Sequence, residues 1–290
     1  MMEVDRNNEK EISDFWCADR SNKRIDAFSK LGLLKARFFK QAFPPHVHET
    51  YGFGVVVNGK VETKQRREYR IASVGHVILF NPDEVHSNSA VDELGWTYRM
   101  FYPSEELIKK VIPEIKGKQN LPFFQNPSVY DPELCKLILD LHVSLERNPL
   151  SVKHGENFDR ILGYIISKYS QEKLEWCSTI NDRDFIQFVE NYIEKNLSNH
   201  SFLSDLAKEL NYCETYISDK YSKIKGMTIR EYRKSLQAFN ALKQIQIRDE
   251  LDLNAIARNV GISHQGDFSR CFRERIGVTP RQCRKSFHKS

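Results

Sequence analysis

The chain has no apolar run approaching the ~20 residues that a membrane-spanning helix needs, which removes a helical membrane protein from consideration. Its start, Met1-Met2-Glu3-Val4-Asp5, lacks the basic-then-apolar pattern of a secretory signal, so a cytoplasmic chain is expected. Cysteine is sparse: six residues, at positions 17, 135, 177, 213, 271 and 283, with no Cys-x-x-Cys pair. In a reducing compartment these read as buried free thiols, with a thiol sensor as the alternative, for which the spacing gives no support. Strong overall charge is lacking too, since 44 basic side chains face 39 acidic ones.

That small excess is unevenly placed. Residues 1–180 carry 25 basic and 25 acidic side chains, and residues 181–290 carry 19 and 14, so the whole excess of +5 lies in the last third. From Arg258 onward the balance is eight basic to two acidic. A local excess of this kind suits a polyanionic partner.

The same third repeats itself. Leu203–Asn211 overlays Leu253–Gly261, and Tyr216–Ser235 overlays Asp267–Ser286 with one inserted residue. Leu203/Leu253, Ala207/Ala257, Ser218/Ser269, Gly226/Gly277, Thr228/Thr279 and Arg230/Arg281 coincide, and Arg233-Lys234-Ser235 recurs as Arg284-Lys285-Ser286. Each copy reads as a short helix, a tight turn, a second helix and a glycine stop, which is a helix-turn-helix written twice. In copy one the helices are Phe202–Leu210 and Glu214–Lys225, turning at Asn211 and stopping at Gly226. In copy two they are Leu253–Val260 and a helix from a Ser263 N-cap to Ile276, turning at Gly261 and stopping at Gly277. Thr228–Ile247 is long enough to hold the copies about one DNA turn apart. Asp184 is expected to cap a preceding helix from Phe185 to about Asn196.

Upstream the texture differs. Short apolar or alternating runs bounded by turn residues occupy roughly residues 31–103: Leu34–Ala42 ended by Pro44-Pro45, then Tyr51–Val57 with Asn58-Gly59 as a hairpin signal. Lys60–Lys64, Glu68–Ile71, Val77–Phe80 and Gly95–Tyr102 follow. This spacing predicts a small antiparallel barrel or jelly roll. Two amphipathic helices come next. One is Asp131–Arg147, with Leu134, Leu137, Ile138, Leu141 and Leu145 on its stripe; the other carries Phe158, Ile161, Leu162, Ile165, Ile166 and Tyr169. They either cover the barrel or form a dimer seam. Ser170–Asn181 reads as a linker, and residues 1–30 as an arm or short helix packing on the barrel, with disorder in the first ten. The fold class is thus a two-domain α+β chain: an N-terminal barrel (1–103), a helical linker or dimerisation region (104–180) and an all-α double helix-turn-helix (181–290).

The run Gly261-Ile262-Ser263-x-Gln265-x-x-Phe268-Ser269-Arg270-x-Phe272-Arg273-x-x-x-Gly277-Val278-Thr279-Pro280 resembles the signature of the AraC/XylS family of bacterial transcription regulators. Copy one departs from it: Asn211 replaces the turn glycine, Cys213 a capping serine, and Asp219 a residue that is often basic. Asp267 and Cys283 are smaller departures. The resemblance implies double-stranded DNA, a small-molecule effector and RNA polymerase as partners, a homodimer, activation of transcription, and neither enzyme activity nor a cofactor. The expected DNA-facing residues are Glu214, Thr215, Ser218, Asp219, Lys220 and Lys223 in copy one, and His264, Gln265, Ser269, Arg270 and Arg273 in copy two. Arg270 has the fork to read guanine and Gln265 the amide to read adenine, while Arg273, Lys220 and Lys223 suit phosphates. Asp219 repels phosphate but can accept from cytosine, so copy two should anchor and copy one modify.

Pro45-His46-Val47-His48, Gly75, and Asn81-Pro82-x-x-Val85-His86 resemble a cupin barrel, which in such regulators is the effector module. Cupin metal sites add a glutamate, and here that position falls on Gly52 or Phe53, with Glu49 expected on the opposite strand face. The preferred reading is therefore imidazoles hydrogen-bonding a small polar or carboxylate ligand, with His46, His48, His86, Trp96 and Tyr98 lining the site. Metal coordination by His46, His48 and His86 is the alternative. Arg99, on the other strand face, should be solvated or at a domain interface. Asn81–His86 followed by Gly95–Arg99 also resembles a subgroup associated with amino-acid exporter genes, which puts amino acids among the candidate effectors.

Overall fold

The computed structural model describes residues 12–17, 31–39, 41–65, 68–112, 121–148, 151, 153–171, 180–247 and 251–287. The N-terminal part is built from strands β1 (Ile12–Cys17), β2 (Gly32–Phe38), β3 (Phe43–His46), β4 (Gly52–Gln65), β5 (Glu68–Ser73), β6 (His76–Phe80), β7 (His86–Ala90) and β8 (Trp96–Tyr102). Helix α1 (Glu105–Val111), the short strands β9 (Phe123–Phe124) and β10 (Ser128–Tyr130), helices α2 (Pro132–Arg147) and α3 (Lys153–Tyr169), and β11 (Ser170–Gln171) complete it. The C-terminal part is all helix: α4 (Ile180–Lys195), α5 (Phe202–Leu210), α6 (Glu214–Lys225), α7 (Ile229–Ile247), α8 (Leu253–Asn259), α9 (Gln265–Ile276) and α10 (Pro280–Phe287).

The strands do not close into a barrel, which corrects the expectation from their spacing. One layer runs β1-β2-β8-β4-β6-β10, and the other is β3-β7-β4-β5. The long strand β4 belongs to both. Residues 52–59 pair with β6 and β8, and residues 60–65 pair with β5 and β7. A strand of 14 residues is too long for one face of a small twisted sheet, so it bends and hands its second half to another layer. The bend lies at Asn58-Gly59, which is not a hairpin. The register against β8 shifts between Val56 and Asn58, and Gly59 has φ +72°. A Cβ there would sit 2.0 Å from the Gly95 carbonyl. The Asn-Gly signal was thus a bulge, where an extra residue turns the strand without ending it.

Pro44-Pro45 also does something other than predicted, since both lie within β3. That strand sits at the edge and pairs with β7 only at Phe43↔Asn88 and His46↔His86, and an edge strand tolerates residues without an N–H.

The helices α2 and α3 cover the first layer. Leu134, Ile138, Leu141 and Leu145 of α2 and Phe158, Ile161, Leu162, Ile165 and Ile166 of α3 share one core with Phe53, Val55, Val77, Leu79 and Phe101. The apolar stripes are therefore consumed within the chain and do not form a free seam. Leu137, expected on the stripe, is 36% exposed. Asp131 caps α2 by accepting from the Leu134 N–H at 3.0 Å, and Pro132 follows at the first helical position. Arg99 is not solvated: it is buried against α2, donating to Glu146 at 2.7 Å and lying 3.0 Å from His142. Of the expected linker, Ser170–Gln171 forms β11 and residues 172–179 lie outside the described residues, as do 1–11 of the arm. Among the described residues, no helix is long and apolar enough to cross a membrane.

Candidate functional site: a histidine pocket under two helix pairs

Both repeat copies fold as helix pairs. In copy one, Asn211 supplies the left-handed turn with φ +54°, and in copy two Gly261 does so with φ +77°. Glycine is required at 261, because a Cβ would lie 2.6 Å from the Ser198 Cα. The second helices end at Gly226 and Gly277, each in the left-handed region, with the amide closing on Ser222 or Arg273. Two boundaries differ from expectation. The N-cap of α9 is His264, not Ser263, and it makes no side-chain capping bond. Helix α4 begins at Ile180, so Asp184 lies inside it.

The two copies use their apolar stripes differently. Ile217 and Tyr221 of α6 pack with Phe202 and Leu206 of α5 and with Phe185, Val189 and Ile193 of α4. Copy two packs with α7 before it and with α10 after it, whose Cys283 and Phe287 are buried in the same core. Phe268, Phe272 and Ile276 of α9 and Ala238, Ala241, Leu242 and Ile245 of α7 join one core with Leu34, Phe38, Phe43, Phe80, Trp96 and Tyr98 of the sheet unit. Strands β2, β3, β6 and β8 of the sheet unit thus share the core of copy two.

The outer faces remain open. Glu214, Thr215, Asp219 and Lys223 of α6 are exposed, as are His264, Gln265, Arg270 and Arg273 at α9, while Ser218 and Ser269 are half-buried. Arg270 pairs with Asp267 at 2.6 Å on that surface. Lys220 departs from the group: it is half-buried, lies 3.5 Å from Asp182 and stacks over the Phe185 ring. Cys213 stands exposed at the start of α6, against the expectation that the thiols are buried, whereas Cys271 and Cys283 are buried. Sequence reasoning missed Tyr212 and Tyr216. Both are exposed beside the expected contacts, with ring centroids 4.7 Å apart. Their helical spacing and lack of an apolar neighbour stripe were the available signal.

Beneath copy two lies the histidine cluster. His46 ends β3, His86 opens β7 directly opposite it, and His48 follows two residues on, so strand pairing brings the three together. All three are buried, with ring centroids 4.4–4.9 Å apart. The Nδ1–H of His46 donates to the Pro44 carbonyl at 2.7 Å, and that of His86 to the Glu84 carbonyl at 2.9 Å. Burial holds all three rings neutral. His86 is lowered to about 4 by desolvation, opposed by its bond to the Glu84 carbonyl. His46 and His48 are lowered well below the ordinary range, first by desolvation and then by His86.

A cavity of about 20 Å³, room for roughly one water, adjoins the cluster. Its wall combines His46, His48, Tyr98 and Tyr102 of the sheet unit with Arg275 and Ile276 of α9. Trp96 is not on that wall; it is buried against Phe38 and Phe43. Sequence reasoning also missed Arg275. Its guanidinium has a side-chain exposure of 0%, pairs with Glu231 of α7 and with Glu274 at 3.0 Å, and its Nε has no partner among the described residues. Around the cavity, Phe239 of α7 packs edge-on against His48 at 4.9 Å, and Lys243 of α7 pairs with Glu49. Glu49 lies in the bend between β3 and β4, not on a strand.

Comparison with known proteins places these parts. The sequence profile described as "AraC-like ligand binding domain" matches residues 31–160, and that of a "Helix-turn-helix domain" matches residues 206–286. The HTH-type transcriptional regulator YbfI of Bacillus subtilis (strain 168), described as uncharacterized, is 25% identical over 77% of this chain and 78% of its own length. The transcriptional activator RhaR of Yersinia pseudotuberculosis is 20% identical over 88% of this chain and 89% of its own. Among solved structures, ToxT from Vibrio cholerae shares the fold with a TM-score of 0.58 at 13% identity, over 90% of this chain and 99% of that one. Another ToxT structure, with a TM-score of 0.56 at 13% identity and covering 100% of this chain and 99% of that one, contains a bound unsaturated fatty acid.

Proposed function

Taking as premise that this chain belongs to the AraC family of transcriptional regulators, with a ligand-binding domain and a DNA-binding domain, we propose that a small ligand bearing a carboxylate binds beside His46, His48 and His86. Its binding changes how the second helix pair is held. The observation that carries this reading is the shared wall of the cavity, which takes residues from the sheet unit and from α9. At about 20 Å³ the cavity accommodates no amino acid as it stands. A ligand that enters by displacing Arg275 or Ile276 binds better to an arrangement in which α9 has moved. A ligand with different affinities for two arrangements shifts the population between them.

The wall also suggests the ligand's chemistry. Two phenols and the guanidinium of Arg275 can donate to an anionic head, while the Nε2 atoms of His46 and His86 can only accept. Leu34, Phe43, Phe80 and Ile276 favour an apolar body. Amino acids with apolar side chains and short fatty acids both answer that description. The sheet unit is read as cupin-like, though open, and the helix pairs as two helix-turn-helix motifs. The domains proposed are 1–103, 104–180 and 181–290.

On DNA, Arg270 and Gln265 are assigned to base edges, with Ser269 and His264 beside them, and Arg273 and Lys223 to phosphates. Glu214, Thr215, Ser218 and Asp219 tune site choice in copy one. The exposed faces of α6 and α9 support this assignment. Lys220, held by Asp182, is assigned a supporting role instead. RNA polymerase and a second copy of the chain are the proposed protein partners, the second copy docking through a surface other than the buried stripes of α2 and α3.

The test is a thermal-shift screen of amino acids and fatty acids on the full chain, followed by selected-site DNA binding with and without each hit. A true effector raises the midpoint by mass action and changes DNA affinity. A hit that stabilises the fold but leaves DNA binding untouched refutes the coupling.

A further inference from the structure

The histidine cluster carries a feature that a purely organic ligand does not require. A carbonyl oxygen only accepts, so the bonds from His46 and His86 to Pro44 and Glu84 set both rings in the tautomer with a lone pair on Nε2. The Nε2 of His86 and the Nδ1 of His48 are buried with no hydrogen-bond partner among the described residues. Buried imidazole nitrogens left bare are costly. One ligand atom from each of the three rings falls within 4.8 Å of the others. Anchoring the far nitrogen of a histidine to a carbonyl is the arrangement that orients metal-binding imidazoles.

We propose that His46, His48 and His86 bind one divalent transition-metal ion of the zinc class, and that Arg275 makes its presence felt by helix α9. Three imidazoles suffice for such an ion and leave a fourth position open, with zinc–nitrogen distances near ~2.0–2.1 Å. Tetrahedral coordination brings the nitrogens to about 3.4 Å of one another, so binding draws the rings inward from their present spacing. The donor set selects the metal. Calcium and magnesium require oxygen ligands, whereas imidazole suits zinc, cobalt, nickel or iron(II). The nearby carboxylates are engaged elsewhere: Glu84 accepts from Asn81 at 2.6 Å and also from Gln65, and Glu49 pairs with Lys243. The glutamate missing from the sequence pattern is thus not replaced, and an ion here keeps its full double charge.

Arg275 makes that charge consequential. Its buried guanidinium lines the same cavity as His46 and His48. A dication and a guanidinium sharing a small cavity repel each other. Loading therefore loosens the seat of α9, unless an anion takes the fourth metal position and accepts from the bare Arg275 Nε–H. The ion and a carboxylate ligand then bind cooperatively. This inference stands whether or not the family's DNA contacts are as assigned above.

The experiment uses the full chain, stripped with chelator and titrated with Co²⁺ and Zn²⁺. Expected are one equivalent bound, a visible absorption spectrum of cobalt on nitrogen ligands, and displacement of cobalt by zinc. His46→Gln and His86→Gln, each checked for cooperative unfolding in chelator, should weaken binding by at least the ~10–100-fold that loss of an outer partner alone causes. His48→Gln replaces either variant that does not fold. Arg275→Met should tighten cobalt binding severalfold. No spectrum at one equivalent, or binding that survives the histidine substitutions, overturns the site. A cobalt affinity unmoved in Arg275→Met overturns the coupling to α9.

Discussion

The protein should lose stability in mild acid, and the buried histidines set the amount. An imidazole with an unfolded pKa of about 6.5 and a folded pKa far below it binds its proton only in the unfolded chain. Its contribution is complete above about pH 6.5 and is lost as pH falls toward the folded value. Each such group costs about 1.4 kcal/mol between pH 7.5 and 5.5. His46, His48 and His86 together cost about 4 kcal/mol, and all three are buried and lowered. His142, lowered to about 3 chiefly by burial and then by Arg99, adds one more such step. Two carboxyls oppose them, one being the exposed Glu194, raised chiefly by desolvation and then by Glu49. Asp83 is raised to about 6 by partial desolvation, but its side chain is exposed, so solvent screens its share to a minor correction. The assay is denaturant unfolding at pH 7.5 and 5.5 with chelator present. His86→Gln should flatten the pH slope by about one proton. Equal stability at the two pH values would refute the claim that the cluster is buried and neutral.

Other perturbations address the remaining assignments. Arg270→Ala should cost about 1–3 kcal/mol at a selected DNA site and relax one base position; uniform weakening across sequences would reduce Arg270 to a phosphate contact. Lys223→Ala should lower the salt slope of DNA binding by about one ion, while Lys220→Ala, already paired with Asp182, should leave it nearly unchanged. Phe272→Ala, at the centre of the core shared by copy two and the sheet unit, should destabilise by about 3–5 kcal/mol in denaturant unfolding. Lys243→Ala breaks a half-exposed pair with Glu49 and should move stability by no more than about 1 kcal/mol.

Much of this protein is local and could be read from its residues in order. The helix pairs follow from short-range rules: apolar positions at helical spacing, a left-handed turn at Asn211 or Gly261, and a glycine stop at Gly226 or Gly277. The cap of α2 at Asp131 and the histidine trio were legible for the same reason, since residues 46, 48 and 86 sit at strand ends whose turn residues are plain.

What failed involved a choice between partners far apart in the chain. Asn58-Gly59 has the chemistry of a hairpin, and only the competing layers that claim the two halves of β4 make it a bulge. Pro44-Pro45 stops a central strand, yet the pairing of His46 with His86 places it on a tolerant edge. The stripes of α2 and α3 said that something apolar must cover them; whether sheet or second copy was a question of tertiary packing.

The sequence by itself determined that there are two helix pairs, that the basic excess lies with them, and that three histidines cluster upstream. Only the tertiary structure decided that the core of copy two continues into the sheet unit, whereas that of copy one is filled mainly by α4, α5 and the start of α7. Apolar periodicity states that a face must be buried but not against what. That single choice carries Arg275 into the histidine cavity and ties the helices assigned to DNA to the site assigned to the ligand.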